Sequence, residues 1–176
     1  MDQTERKGMI GSLINQRSMS MTQSTPKARR RTLSFSNYGE IAEEVRRLRT
    51  QPYERLGQWS LGQCCGHLGY YVKASMDGFS EKLPWFVSKL FGRLLLQRIF
   101  NRGMKSGLPT SPKSVPPPSD LEEAEIDEFL SVLERIQTHS GPLHPSPFFG
   151  ELSAEEWRRL HCAHAAHHLG FLIPSQ

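Results

Sequence analysis

Residues Leu160–Leu172, LHCAHAAHHLGFL, carry four histidines within eight positions near the end of the chain. No proline and no β-branched residue interrupts this stretch, so it is compatible with a helix. Because each residue of a helix turns by about 100°, His164 and His168 stand one turn apart on the same face. Two imidazoles at this spacing form half of a metal site. We therefore predict that a third ligand comes from elsewhere in the chain.

The segment Trp59–Tyr71, WSLGQCCGHLGYY, supplies the best candidate for that third ligand. His67 falls inside a predicted helix that has a strongly apolar face. In an antiparallel helical bundle the inward side chains of two helices meet across the core, where His67 would approach His164 and His168. Three neutral imidazoles with an open fourth position are typical of a catalytic zinc-type site. The spacing therefore predicts a divalent metal ion held by these three histidines.

Other interpretations of the histidines stay open. A single histidine on an apolar helix face is more often a hydrogen-bonded core residue than a ligand, and this applies to His67. His161 lies close to the face of His164 and is the main rival for a ligand position, whereas His167 is expected behind the ligands or at the rim. Second-layer residues would have to orient the rings, and the candidates are Tyr70, Tyr71 and Asp77. The remaining two, His139 and His144, are predicted to be ordinary loop residues.

The cysteines indicate a reducing compartment. There are three, Cys64, Cys65 and Cys162, and an odd number with an adjacent pair is no disulfide framework. Reduced thiols favour the cytoplasm. Cys65 and Cys162 are alternative soft metal ligands, although small buried apolar filler is the preferred interpretation of both.

Charge divides the chain into two parts. Residues 1–35 contain seven Lys and Arg against two Asp and Glu, whereas residues 36–176 contain 15 against 16. The first part lacks hydrophobic periodicity and is predicted to be a disordered basic tail, some of which could come from a mis-called start codon. The second part is expected to be one folded domain. It is nearly neutral, which argues against a nucleic-acid surface. The most apolar run, residues 83–100, is interrupted by charges, so we expect no membrane span.

Four matches to the capping-box pattern predict four principal helices. The matching pairs are Asn37 and Glu40, Ser60 and Gln63, Ser119 and Glu122, and Ser153 and Glu156. The helices are expected over residues 37–49, 60–77, 120–138 and 154–171. We find no strand signal, and the predicted fold is an all-α four-helix bundle.

A long crossover is expected between the second and third helices. Residues 84–101 read as an extra amphipathic helix, and residues 105–118, rich in Pro and Ser, as an extended connection. This extra helix would cap the bundle or pack on a partner subunit, so a homodimer is one alternative. Contact with a membrane surface is a less favoured one.

Three segments together resemble a known family. WSLGQCCGHL around His67, SPFFGELSAEEW from Ser146 to Trp157 and HAAHHLGFLIP from His164 to Pro174 are similar to segments of the DinB/YfiT-like superfamily of metal-dependent four-helix proteins. Within it, the chain looks closest to a bacterial branch of unassigned function. The resemblance covers residues 31–174. It departs from the family pattern where many relatives have His-Arg-Gly-Gln and this chain has His-His-Leu-Gly.

The resemblance implies a DinB-like fold in which one histidine of helix two and a His-x-x-x-His pair of the last helix hold a divalent metal. His67, His164 and His168 occupy those positions. Some relatives are similar to S-transferases or isomerases that use a low-molecular-weight thiol. A metal-dependent transferase or hydrolase acting on a small molecule is therefore the first functional hypothesis. A non-catalytic metal- or ligand-binding bundle and a structural interaction protein are the alternatives. Imidazole ligands suit Zn, Ni, Cu and Fe, so the metal is left open.

Overall fold

The structure, a computed structural model, describes residues 29–80, 92–107, 110–116 and 122–175. Within these ranges the chain is mostly helical, with a short 3₁₀ turn at Pro112–Ser114 and two three-residue strands, β1 (Tyr53–Arg55) and β2 (Leu172–Pro174). The α-helices are α1 (Tyr38–Arg49), α2 (Leu61–Asp77), α3 (Arg93–Arg102), α4 (Glu122–Thr138) and α5 (Ala154–Leu169). No helix among the described residues is long and apolar enough to cross a membrane.

The predicted helix starts at α2 and α5 are confirmed as complete capping boxes. The pairs Ser60–Gln63 and Ser153–Glu156 exchange both the side-chain and the reciprocal backbone hydrogen bonds. At α1 the cap is only half of the predicted box. Asn37 accepts from the backbone N–H of Glu40 at 3.0 Å, but the Glu40 carboxylate accepts from the N–H of Ser36. The remaining predicted cap, Ser119, lies outside the described residues.

Helices α1, α2, α4 and α5 share one hydrophobic core, and α2 and α4 pack especially closely. A Cβ atom on Gly62 would lie 2.7 Å from the Cα of Glu122, so the α4 backbone occupies the space of a side chain. The largest fully buried members of this core are Phe129, Ile41, Leu48, Leu61, Ile126, Leu133, Leu169 and Leu172. Small residues on α2 thus allow a close approach that holds this helix, and with it His67, against its neighbours.

Helix α3 overlaps the second half of the predicted extra helix of residues 84–101 and ends one residue beyond it, at Arg102. The first part of that prediction falls in residues 81–91, outside the described residues. Leu96 and Ile99 of α3 are buried in a second apolar cluster with Leu152, Trp157 and Leu160. The inner face of α3 therefore packs on the helical domain, as the capping interpretation expects, while Leu94 on its outer face is 77% exposed.

The all-α prediction missed a small sheet. Strands β1 and β2 pair antiparallel, with Tyr53 opposite Pro174 and Arg55 opposite Leu172. Three residues per strand are too few to produce a recognisable alternation of polar and apolar positions. The sheet ties the end of the chain to the segment that leads into α2, and the N–H of Leu56 donates to the Phe171 carbonyl at 2.9 Å.

Residues 29–35, which the sequence analysis assigns to the tail, make contacts with α1 and α5. The backbone N–H of Arg31 donates to the Gly170 carbonyl at 2.9 Å, and its guanidinium pairs with Glu44 at 2.6 Å. Leu33 and Phe35 pack against the main core. Specific contacts therefore begin before residue 36, because this basic segment finds an acidic partner and apolar surface. Residues 1–28 lie outside the described residues.

Candidate metal centre

Helices α2 and α5 bring His67, His164 and His168 together. The Nε2 atom of His164 lies 3.0 Å from Nε2 of His67 and 3.1 Å from Nε2 of His168. One ring nitrogen from each residue falls within 4.8 Å of the others. The structure thus assembles the three histidines that the sequence grouped, even though His67 is distant in the chain.

The chemistry of these nitrogens fits a metal ion. Zinc–nitrogen bonds in a tetrahedral site separate neighbouring ligand nitrogens by roughly 3.3 Å, close to the distances among these rings. The Nδ1 atom of His67 lies 2.8 Å from the Ser114 carbonyl, which can only accept, so Nδ1 carries the proton and Nε2 is left with a free lone pair. A proton on the Nε2 of His164 would point at only one of its two neighbours. A cation at the centre would be attracted by all three lone pairs at once.

Burial keeps the three imidazoles neutral, the state that metal ligands need. Burial lowers the pKa of His67 from 6.5 to about 4 and that of His168 to about 2. The pKa of His164 is held well below its ordinary value by burial and then by repulsion from His168 and His67. The site therefore offers uncharged nitrogen donors across the whole physiological pH range.

Aromatic rings fix the orientation of the three histidines. The Trp59 indole stacks on His168, with ring centroids 5.2 Å apart and planes 14° apart. The Tyr71 ring meets His67 and His164 edge to face at 5.2 and 5.3 Å. Its hydroxyl group lies 3.2 Å from the Ser114 hydroxyl, next to the carbonyl that orients His67. Tyr71 was among the predicted orienting residues.

Trp59 and Ser114 were missed by the sequence analysis. Trp59 directly precedes Ser60, the N-cap of α2. This position next to a predicted cap is the one local feature that could have pointed to Trp59. Ser114 lies in the Pro- and Ser-rich connection, where no periodicity marks one serine among several. Of the other predicted orienting residues, Asp77 forms an ion pair with Arg135 instead, and the buried hydroxyl of Tyr70 has no hydrogen-bond partner among the described residues.

The rival histidine, His161, does not join the three. Its Nδ1 atom lies 3.1 Å from the Tyr38 hydroxyl, and its ring stacks on Trp157. His167 lies beside His168, at 4.9 Å between ring centroids, and its Nδ1 is 3.1 Å from the Met104 carbonyl. This placement matches the expectation that His167 lies behind the ligands or at the rim.

The cysteines also lie outside the three-histidine group. All three are reduced and buried in the main core. Burial raises the pKa of Cys64 to about 12 and that of Cys162 to about 11, and it raises the pKa of Cys65 as well. Protonated thiols are poor ligands and poor nucleophiles, which supports the interpretation of these residues as apolar filler.

A cavity of about 230 Å³ opens next to the three rings. Its walls are mostly apolar, with Phe79, Leu95, Met104, Phe148, Phe149, Trp157 and Leu160 among the lining residues. No Asp or Glu is among the described residues that line it. A concave, mostly apolar pocket bordered by polar side chains is typical of a small-molecule site.

Comparison with protein families gives a match over most of the chain. The family described as "Protein of unknown function (DUF1569)" matches residues 27–175. The chain belongs to this family. The match begins just before Arg30 and Arg31 and includes His67, His164 and His168. Neither the curated proteins nor the solved structures contain a match. The resemblance to the DinB/YfiT-like superfamily therefore stays a prediction.

Proposed function

We propose that this DUF1569 chain binds a divalent metal ion through His67, His164 and His168 and is a metal-dependent enzyme acting on a small molecule. The convergence of three neutral Nε2 atoms within 4.8 Å carries the proposal. These three imidazoles would hold the ion, which would supply Lewis-acid activation of water or of a thiol. Zn, Ni and Fe all suit this donor set.

The fold expected for this function is a DinB-like four-helix bundle. Helices α1, α2, α4 and α5 share the main core, and the ligands come from α2 and α5, which supports that proposal. The connection between α2 and α4 contains α3, as the predicted crossover requires. A homodimer through the outer face of α3 is part of the same proposal and is supported by the exposed Leu94.

The residues of the chain would prepare the site before any substrate arrives. Hydrogen bonding to the Ser114 carbonyl holds His67 with Nε2 facing its neighbours. Stacking by Trp59 holds His168, and the apolar cavity limits access of bulk water to the open side. Since no carboxylate lines the described part of the cavity, an imidazole would have to accept any proton released there. His167, whose ring centroid lies 4.9 Å from that of His168, is one such imidazole outside the three.

The cavity favours an enzyme over a purely structural metal site. A structural zinc site is closed by four protein ligands, whereas a catalytic site keeps a position free. The three-histidine group meets an open space large enough for a small molecule, so the substrate is proposed to be small, either a low-molecular-weight thiol or a molecule attacked by water. A non-catalytic metal-binding or interaction protein is the alternative, and it predicts metal without turnover.

Elemental analysis of the purified full chain tests the proposal. We expect about one metal ion per chain in the wild type and less than a tenth of that in His67→Ala, His164→Ala and His168→Ala, with helical circular dichroism retained. His144→Ala is the matched control, because its exposed ring lies in a loop outside the three-histidine group. Equal metal content in His164→Ala and His144→Ala would remove the proposal.

A further inference from the structure

Two buried ring nitrogens beside the candidate metal centre have no hydrogen-bond partner among the described residues. They are Nε2 of His161 and Nε1 of Trp157. Both rings line the cavity, and they stack at 5.0 Å between centroids. Buried polar atoms in proteins are nearly always paired. Two unpaired ones on neighbouring rings that line the same cavity call for a partner that the described residues do not supply.

The hydrogen bond to Tyr38 decides which tautomer of His161 is present. Burial raises the pKa of Tyr38, so its hydroxyl keeps its proton, and burial lowers the pKa of His161 to about 3, so its ring is neutral. If the Tyr38 hydroxyl donates to Nδ1, the ring proton sits on Nε2 and only that N–H is unpaired. The opposite tautomer would leave both the tyrosine O–H and Nε2 unpaired. The favoured arrangement therefore makes His161 an N–H donor.

Trp157 can only donate through its indole N–H. The adjacent rings of His161 and Trp157 therefore present two N–H donors and, at the unpaired atoms, no acceptor. Carbonyl and carboxylate oxygens are the commonest groups that satisfy two donors without bringing a hydrogen of their own. Protein sites built with donors for one substrate group reject analogues that lack it.

The rest of the cavity fits an apolar body attached to that oxygen. Phe79, Phe149 and Leu95 line the cavity, and the Phe79 ring stacks on Trp157 with planes 12° apart. A protein cavity of about 150 Å³ holds benzene, and this one measures about 230 Å³. A six-membered ring with a short polar substituent is therefore of suitable size.

We propose that His161 and Trp157 form an acceptor-binding pair that holds the carbonyl or carboxylate oxygen of a small substrate with an aryl or other apolar body. Tyr38 is a positioning residue for this pair, since it contacts His161 and lies outside the cavity lining. The pair adds a substrate class to the proposed function. It rests on that function only for the metal-dependent reaction of the bound substrate. Binding itself needs no metal.

Ligand-observed NMR titrations of the full chain test the pair, both as purified and after treatment with a chelator. The probes are benzoate, acetophenone and toluene, which share a ring and differ in the oxygen. We expect benzoate or acetophenone to bind at least about tenfold more tightly than toluene. Comparison of the first two shows whether a carboxylate or a carbonyl is preferred. Equal binding of all three probes would overturn the proposal.

Variants separate the donors from the shape of the pocket. His161→Leu and Trp157→Phe should weaken the preferred oxygen probe about tenfold and leave toluene binding unchanged. His161→Gln retains an N–H donor and should recover part of the loss, which also shows that the position tolerates substitution. Tyr38→Phe should give a smaller loss, about threefold, because the proton of His161 is then free to sit on either nitrogen. An unchanged preference for oxygen in both His161→Leu and Trp157→Phe would contradict the pair.

His164→Ala distinguishes this inference from the proposed function. If the pair binds the oxygen, His164→Ala keeps the preference for benzoate or acetophenone in the chelated protein, whether or not the wild type carries metal. If the oxygen instead binds the metal, the preference disappears after chelation and the inference fails while the proposed function stands. Metal content should be unchanged in His161→Leu.

Discussion

The Nε2 atoms of His67 and His164 lie 3.0 Å apart, although 97 positions separate the two residues in the chain. Two neutral imidazole lone pairs at this distance repel each other unless a proton or a cation lies between them. On the other side of the His67 ring, the Nδ1–H donates a hydrogen bond to the backbone carbonyl of Ser114. This geometry could hold a metal ion, and its consequences can be measured.

Substitution of Trp59 should weaken metal binding without removing a ligand. Its indole stacks on His168, and its ring centroid lies 4.7 Å from that of His67. Trp59→Ala therefore removes a contact that orients both imidazole rings. We expect a loss of about tenfold in metal affinity, the lower end of what second-layer substitutions cost, measured by competition with a chromogenic chelator. Trp59→Phe, which keeps a stacking ring, should lose less. Equal affinity of the wild type and Trp59→Ala would contradict the orienting role.

The metal-free protein should lose stability as the pH falls from 7 to 4. Burial lowers the pKa of His67 to about 4 and that of His161 to about 3 in the folded chain, against 6.5 for an exposed imidazole. Below pH 6.5 the unfolded chain therefore takes up protons that the folded chain does not, which favours unfolding. Each such histidine costs up to about 2 kcal/mol at pH 5.

Urea unfolding of the chelated protein at pH 7.5, 6 and 5 measures this effect. Carboxylates such as Glu156, whose pKa is lowered in the folded chain, stop stabilising the fold mainly below pH 4.5. A change in stability between pH 7.5 and 5 is therefore due to histidine. A stability that stays constant between pH 7.5 and 5 would show that the buried rings are not neutral ligand precursors.

Two glycines of α2 should respond in opposite ways to a methyl group. Gly62→Ala would place its Cβ 2.7 Å from the Cα of Glu122 and should destabilise the chain by about 1–3 kcal/mol through overpacking. In Gly69→Ala the new Cβ would lie 3.6 Å from the Phe129 side chain, an ordinary van der Waals distance. Because alanine has the better helix propensity, the free energy of unfolding should stay equal or rise by up to about 1 kcal/mol. Urea unfolding measures both. An unchanged or higher stability of Gly62→Ala would show that α2 and α4 do not pack as closely there as described.

Removal of the Arg31 side chain should destabilise the domain, even though this residue belongs to the predicted tail. Its guanidinium pairs with the partly buried Glu44 and donates to the Leu169 carbonyl at 3.1 Å. We expect Arg31→Ala to cost about 1 kcal/mol in thermal or urea unfolding. Arg46→Ala is the control, because its pair with Glu134 is exposed on both sides and should contribute little. Equal effects of the two variants would mean that the Arg31 contacts do not stabilise the domain.

Local signals explain how much of the fold could be predicted. The boxes at Ser60 and Ser153 each involve residues three positions apart, so the sequence alone specifies where α2 and α5 begin. The short strands at Tyr53–Arg55 and Leu172–Pro174 were missed because their pairing is decided by the packing of the helices they flank. The contacts of Arg31 escaped notice for the same reason, since charge composition does not reveal a distant acidic partner.

Local sequence specifies the helices and the spacing of His164 and His168, because both depend on neighbours within one turn. It also singled out His67, but only by residue type and by family resemblance. The tertiary structure alone decided that His67 meets the other two while His161 turns to Tyr38, because rings on one helix differ by which neighbouring helix they face. The tertiary structure also places the Ser114 carbonyl beside His67 and leaves ring nitrogens of His161 and Trp157 unpaired. These contacts join segments that share no periodic pattern, so no local signal announces them.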